Sequence, residues 1–308
     1  MEGKQAVNHE TIMYFSGSMT QPSIVERLTS TNVHRLFTFA HPKEVHKYLN
    51  YCRQHNRTSR LMMDSGAFTA WNVGRPMQLR DLLDYDLGIL DQYPQHEFVF
   101  ISLDVIPGER GRRATQVEID KAVQQSYDNF LVMKQELGKR GAKVLPVYHS
   151  GEDKSLRDAY LRETDYVCLS MNQDLSENQR LAWAQEAIVP GYKFHGLAAT
   201  GNKMLSTVDW YSVDSSGVLM VAAMGSILMP REGRLQTLAV SHDSPMRKMH
   251  GKHLDTLTDS VLVKKRLERM GYDVHALATD YAARVCFNID RWNERPWVKK
   301  PVTYNGLF

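Results

Sequence analysis

The sequence predicts an α/β fold, a (β/α)8 TIM barrel carrying a C-terminal hairpin and helical extension, and three observations predict it. Eight apolar, β-branched or aromatic runs recur between residues 11 and 217; segments with 3.6-residue apolar spacing lie between them; ionisable groups sit where the runs end. Strands alternating with helices imply a parallel sheet, and eight such units imply closure into a barrel. A chain of 308 residues is long for one ordinary domain but suits this architecture.

The candidate strands, in order, are TIMYFSGS, RLFTFA, RLMMDSG, FVFISLDVI, AKVLPVYHSG, DYVCLSMN, YKFHGLAA and WYSVDSSG. Helical spacing between them is found at 42–55, 78–93, 116–138 and 153–163, and EIDKAVQQSYDNFLVMKQEL is its clearest instance. The link between strands seven and eight, about 201–208, is very short. After strand eight the pattern changes. GSILMPREGRLQTLAVS holds two apolar runs around a turn composition and predicts a hairpin. A long amphipathic helix follows at about 255–270, then a shorter one near 275–290, and WNERPWVKKPVTYNGLF predicts an extended arm. With no repeat and no linker, residues 1–224 are expected to form the barrel and 225–308 an extension packed on it as part of the same domain.

Composition narrows the function classes. No stretch approaches the roughly 18 consecutive apolar residues of a membrane span, and the N-terminal MEGKQAVNHE lacks the apolar segment of a signal peptide, so a cytoplasmic location without a membrane partner is expected. Cys52, Cys168 and Cys286 are widely separated and form neither a CxxC pair nor a disulfide framework. The net charge is only +3, yet PREGR, MRKMHGKH and VKKRLER gather positive charge between residues 229 and 269. A solvated face and a phosphate-contacting surface both fit that segment.

In a barrel of this kind catalytic groups stand where strands finish. The strand ends here give Ser16 or Ser18, a bland second strand, then Asp64, Asp104, His149, Ser170 with Asn172, His195 and Asp214. An acid at such a point can simply cap the next helix, and Asp64 alone fits that reading. Capping explains two histidines at strand ends poorly, and the constellation favours a functional Asp64.

Four of these segments carry a resemblance. MDSGAF (63–68) resembles the Asp-Ser-Gly-Gly-Phe/Tyr motif of the tRNA-guanine (queuine/archaeosine) transglycosylases, ISLDV (101–105) their strand-four aspartate, PVYHSGEDKSLRDAYL (146–161) their Val-Gln-Gly-Gly segment, and YSVDSSG (211–217) their nucleophile strand. The resemblance spans about residues 60 to 220. HGLAATG also resembles a family motif, but strand counting puts it on strand seven, so the backbone role of strand six passes to Ser170 and Met171. The family's CxCxxC…His zinc site has no counterpart here, and scattered cysteines cannot supply tetrahedral zinc. His149 stands where the family has Gln, and the loop after the nucleophile reads GVLMVAAMGS. The chain is most similar to phage-type relatives that insert 7-deazaguanine bases such as preQ0 into DNA.

The resemblance implies a pentosyltransferase that needs no cofactor and no metal. Asp214 becomes the nucleophile that holds the sugar covalently, and Asp64 the acid and base for the exchanged purine. Phe68 takes the stacking position, Asp104 accepts the guanine-like edge, His149 reads the six-position oxygen or the seven-substituent, and His195 closes the other ring face; core packing or a structural hydrogen bond competes for Phe68 and both histidines. Ser65 and Gly196 complete the base site. Arg231, Arg234, Arg247, Lys248 and Lys252 would contact the phosphate backbone of DNA, with a free 7-deazaguanine base as second substrate. Three alternatives stay open: a zinc-free enzyme acting on tRNA, a metal-dependent barrel hydrolase using His149, His195, Asp104 and Asp214, and a catalytically silent nucleic-acid-binding barrel.

Overall fold

The computed structural model describes residues 11–294 apart from 32, 76, 109–111, 113, 173, 232 and 233. The N-terminal decapeptide, Glu232 and Gly233 of the hairpin turn, and the expected arm beyond residue 294 lie outside the described residues. In chain order the elements begin with β1 (Ile12–Phe15), α1 (Pro22–Ser30), β2 (His34–Thr38), α2 (Pro42–Gln54), β3 (Arg60–Asp64), α3 (Ala67–Asn72), α4 (Leu79–Gln92), β4 (Glu97–Ile101), α5 (Gln116–Gly138), β5 (Lys143–Leu145) and β6 (Val147–His149). They continue with α6 (Lys154–Glu163), β7 (Tyr166–Ser170), α7 (Glu177–Ala187), β8 (Lys193–Gly196), α8 (Asn202–Thr207), β9 (Ser212–Ser215), α9 (Gly217–Ala223), β10 (Ser226–Arg231), β11 (Arg234–Ala239), α10 (Ser260–Arg269), α11 (Val274–Thr279) and α12 (Tyr281–Asn293).

The chain partitions into two compact units. The first comprises residues 1–16, 34–200 and 208–214, the second 17–33, 201–207 and 215–308. The sheet of the first runs β5-β4-β3-β2-β1-β9-β8-β7-β6, and the pairings from β1 to β9 are parallel. Its two end strands are consecutive in the chain, separated only by Pro146, so the sheet curls into a nearly closed barrel. The expected fifth strand is therefore two half-strands: β5 pairs with β4 and β6 pairs with β7. Proline has no N–H for the ladder and marks the switch, while its carbonyl still accepts from Cys168 N–H at 2.9 Å. The α/β barrel fold class is the one the strand pattern predicts.

Local chemistry sets the helix starts. Pro22 and Pro42 begin α1 and α2, a position where the missing N–H costs nothing. Thr115 and Glu118 form a capping box on α5, Ser176 and Gln179 one on α7, and Asp153 caps α6 through Ser155 N–H. Inside the barrel Tyr14, Leu36, Met62, Val99, Ile101, Leu145, Val147, Tyr166 and Cys168 fill one contiguous core, as side chains alternating along each strand must.

In the second unit β10 and β11 form the expected antiparallel hairpin, Ser226 opposite Ala239 and Arg231 opposite Arg234. Ile227, Met229, Leu238, Val263, Leu267 and Phe287 are among the residues of its own core. The helices differ from expectation. The stretch at 255–270 resolves into a 3-10 turn, Leu254–Thr256, and α10, because His253 caps the turn through Asp255 N–H. The stretch at 275–290 resolves into α11 and the longer α12: Asp280 adopts an extended backbone and its carboxylate caps Ala282 N–H.

Candidate active site

Asp64 closes β3 at the C-terminal end of the barrel, opposite Thr38 of β2. The chain turns at once because Gly66 takes a left-handed conformation, φ 77°, where a Cβ would also meet Thr38 Oγ1 at 3.0 Å. Gly66, not Asp64, is the N-cap of α3. Asp64 Oδ2 instead accepts the Gly66 N–H at 3.1 Å. Burial, then the negative charge of Asp104, push the Asp64 carboxyl up to about 6, with Asp214 adding to the effect and the bonds from Thr38 and Gly66 opposing it.

Asp104 stands just past β4, on a loop that α5 holds in place. Asn129 donates to Leu103 O at 3.0 Å, and Ser126 Oγ accepts the Val105 N–H at 2.8 Å. Those two buried polar residues explain why the apolar face of α5 is interrupted. Asp104 Oδ2 lies 3.1 Å from His149 Nε2 at the end of β6. Glu152 completes the clamp, accepting the His149 N–H at 2.7 Å and lying 3.3 Å from its Nδ1. Burial opposes a charged imidazole, yet the hydrogen bonds to Asp104 and Glu152 outweigh it and raise His149 to about 10. The ring is an imidazolium held between two carboxylates. Both its nitrogens are committed, so in this arrangement His149 orients Asp104 rather than offering a free donor to a base.

On the other side of the ring of strands Asp214 sits in β9, 8% exposed, and Oδ1 accepts the Ala198 N–H at 2.8 Å. Ala198 has φ 52°, an unusual conformation for a residue with a side chain, and it aims that N–H at the carboxylate. His195 is 0% exposed, with Nδ1 2.7 Å from Ser212 Oγ and Nε2 3.4 Å from Asp214 Oδ1. A fully buried ring has no face to lay against a substrate, which corrects the expected stacking role.

The remaining predicted residues divide. Phe68, four residues after Asp64 in the chain, is 62% exposed and stacks on Trp71 with ring centres 6.2 Å apart, so α3 presents an aromatic surface. Trp71 is fixed by its bond to Gly108 O at 3.0 Å. Ser170 ends β7 in register with His149, its carbonyl accepting the Ser150 N–H at 2.9 Å, and Met171 follows half-buried. Ser65 is buried and its hydroxyl accepts the Ala67 N–H. Gly196 is buried for packing: a Cβ there would meet Ala199 at 2.6 Å and the Trp210 ring at 2.9 Å. Neither of the last two presents a side chain to a ligand.

Arg231, Arg234, Arg247, Lys248 and Lys252 are all exposed in the second unit. Arg231 lies 3.4 Å from Asp259, a solvated pair of small energetic weight. The four ligands of the hydrolase alternative do not converge, since His149 spans Asp104 and Glu152 while His195 spans Ser212 and Asp214. Among the described residues, the group whose ligand atoms lie within 4.8 Å of one another is His242, His253 and Asp255. There His253 already accepts the Asp255 N–H through Nδ1 and lies 3.3 Å from Ser241 O through Nε2. Sequence reasoning missed Glu152, Ser212, Tyr166 and the Ala198 backbone; only the His149–Glu152 spacing of three residues gave a signal. No protein-family model matches the chain, and no curated protein matches it in sequence.

Proposed function

We propose that this protein is a base-exchanging transglycosylase that replaces guanine in DNA with a free 7-deazaguanine through a covalent link between Asp214 and the sugar. The observation that carries the reading is the pair of carboxylates at the same end of one barrel in opposed surroundings. Asp64 is pushed toward neutral pH by burial and by Asp104, which suits a group that must give and take a proton. Asp214 accepts the Ala198 N–H through one oxygen and suits a carboxylate nucleophile.

In the first half-reaction Asp214 bonds to C1′ as the C1′–N9 bond breaks, and protonated Asp64 gives its proton to the departing guanine. In the second, Asp64 removes the N9 proton of the incoming base, N9 bonds to C1′ and the carboxylate leaves. Two inversions retain the sugar configuration, as in retaining glycosidases. Asp104, steadied by His149, accepts from N1–H and the exocyclic amine, an edge that guanine and 7-deazaguanines share. The exposed Phe68–Trp71 pair offers an aromatic face to a flat base. A target inside a duplex must be flipped out to reach these groups.

The test is incubation of the protein with preQ0 and either DNA or tRNA, followed by digestion to nucleosides. A deazaguanine deoxynucleoside from the DNA arm supports the proposal. Product from tRNA alone transfers the reading to the tRNA substrate, and no exchange in either arm refutes it.

A further inference from the structure

Beneath Asp214 the barrel interior holds a line of polar side chains that the exchange scheme does not use. Tyr166 of β7 is hydrogen-bonded to Ser212 of β9, and Ser212 Oγ lies 2.7 Å from His195 Nδ1 on β8. Ser212 and His195 are 0% exposed and Tyr166 3%. His195 Nε2 makes no hydrogen bond within ordinary limits, yet it is buried and lies 3.4 Å from Asp214 Oδ1.

Counting protons orients the line. Each hydroxyl has one proton to donate, and a neutral imidazole has one N–H. With Tyr166 donating to Ser212 and Ser212 to Nδ1, the proton of the neutral ring rests on Nε2, 3.4 Å from the carboxylate. The reverse order turns an Nε2 lone pair against Oδ1 and leaves the phenol proton without an acceptor, an expensive combination in a buried site. Burial holds the Tyr166 phenol well above its ordinary value, so it keeps the proton it must donate.

We infer that His195 is the positioning residue of Asp214: its Nε2–H and the Ala198 N–H converge on Oδ1, leaving Oδ2 as the oxygen that bonds to the sugar. The inference rests on the transglycosylase reading. In the attack, an Oδ2 lone pair forms the C1′–Oδ2 bond, the C1′–N9 electrons leave with the base, and Asp64 protonates that base. Oδ1 becomes the carbonyl oxygen of the ester. In the return step the C1′–Oδ2 electrons flow back into the carboxylate, where both donors meet the charge as N9 of the new base bonds to C1′. Donors placed in advance at a site of developing charge are the most effective kind.

Glutamine places an amide nitrogen near the Nε2 position of histidine, whereas asparagine reaches only the Nδ1 position. Covalent adduct formation with DNA and preQ0-driven release should both slow about 10²-fold in His195→Asn, and His195→Gln should recover at least about tenfold of that loss. Ring-nitrogen NMR of the wild type, with His195 assigned by difference among the 12 histidines, should show Nδ1 unprotonated, and Ser212→Ala should shift part of the signal to the other tautomer. Active wild type with Nδ1–H, an unimpaired His195→Asn, or equal impairment of Asn and Gln variants overturns the inference alone. A wild type that forms no adduct overturns the transglycosylase reading and the Oδ2 assignment together, and the intact wild-type adduct in the other outcomes tells the two failures apart.

Discussion

Asp64 is the last residue of β3 and Asp214 the last but one of β9 in the same sheet, and their neighbours could hardly differ more. Around Asp64 the company is acidic: Asp104 and Asp214 both raise its carboxyl, and the nearby positive charge, on His149, is spent on Asp104 and Glu152. Around Asp214 the company is an alanine N–H and an imidazole backed by two hydroxyls. On the proposed function, one strand end moves a proton and the other supplies the nucleophile. The difference arises from what lies beside each acid rather than from the acids themselves, and it is open to direct attack.

The largest expected effect comes from Asp214→Asn. An amide cannot displace the base, so the sugar–protein adduct trapped with DNA should vanish while the thermal melt stays cooperative. Persistent adduct in this variant would move the nucleophile elsewhere. Asp64→Asn should keep the shape and lose the proton, lowering base exchange about 10²–10⁴-fold and erasing a pH limb near the value of about 6. Stability supplies a second readout with a definite sign. The folded protein holds this proton more tightly than the unfolded chain, so the group's contribution declines as pH rises from its ordinary 3.8 through about 6. The asparagine variant should therefore melt higher than wild type at pH 7–8 and equal to it below pH 3.8. A variant less stable at pH 8 would show that Asp64 serves the fold.

Glu152→Gln should act more gently, raising KM for the free base about tenfold with kcat little changed, because it loosens the clamp that aims Asp104. His149 also stabilises the fold while protonated, fully below its ordinary 6.5, and that contribution is lost as pH rises through about 10. In the variant the loss should still set in near 6.5 but finish at lower pH and be smaller in total, measurable as a shorter alkaline melting limb. The smallest effect on chemistry belongs to the basic residues. Replacing Arg231, Arg234, Arg247, Lys248 and Lys252 by alanine should flatten the dependence of DNA affinity on salt, by about 0.9 in slope per lost phosphate contact, and leave kcat at saturating DNA unchanged. An unaltered slope returns these residues to a solvated face.

The barrel was legible because most of the apolar strand runs are broken by a polar residue at their ends, and Asp64, Asp104, His149 and Asp214 are among those residues. Glu152 was missed, since its spacing of three residues from His149 is a weak signal and a loop carboxylate looks like any solvated one. Ser212 and its bond to His195 were hidden for another reason: strand alternation marks which positions face inward, but not which inward polar groups meet across neighbouring strands. His195 could be found in the sequence, while its burial depended on the closure of the whole sheet. Pro146 was visible and its consequence predictable, because a proline within a run argues against a continuous ladder. The helical extension was misdivided where Asp280 caps α12, a signal that tertiary spacing had masked.

That proline gives the barrel a seam. The backbone ladder ties β5 to β4 and β6 to β7, so at the upper end, beyond residue 146, no paired strand joins β4 to β6. What spans the gap there is a side-chain clasp, the Asp104 carboxylate fastened to the His149 imidazolium. The bond that orients Asp104 thus also buttons the rim of the barrel. Unfastening it by titration or mutation should let the staves on either side part, and the amides of β6 should exchange with solvent sooner than those of β5.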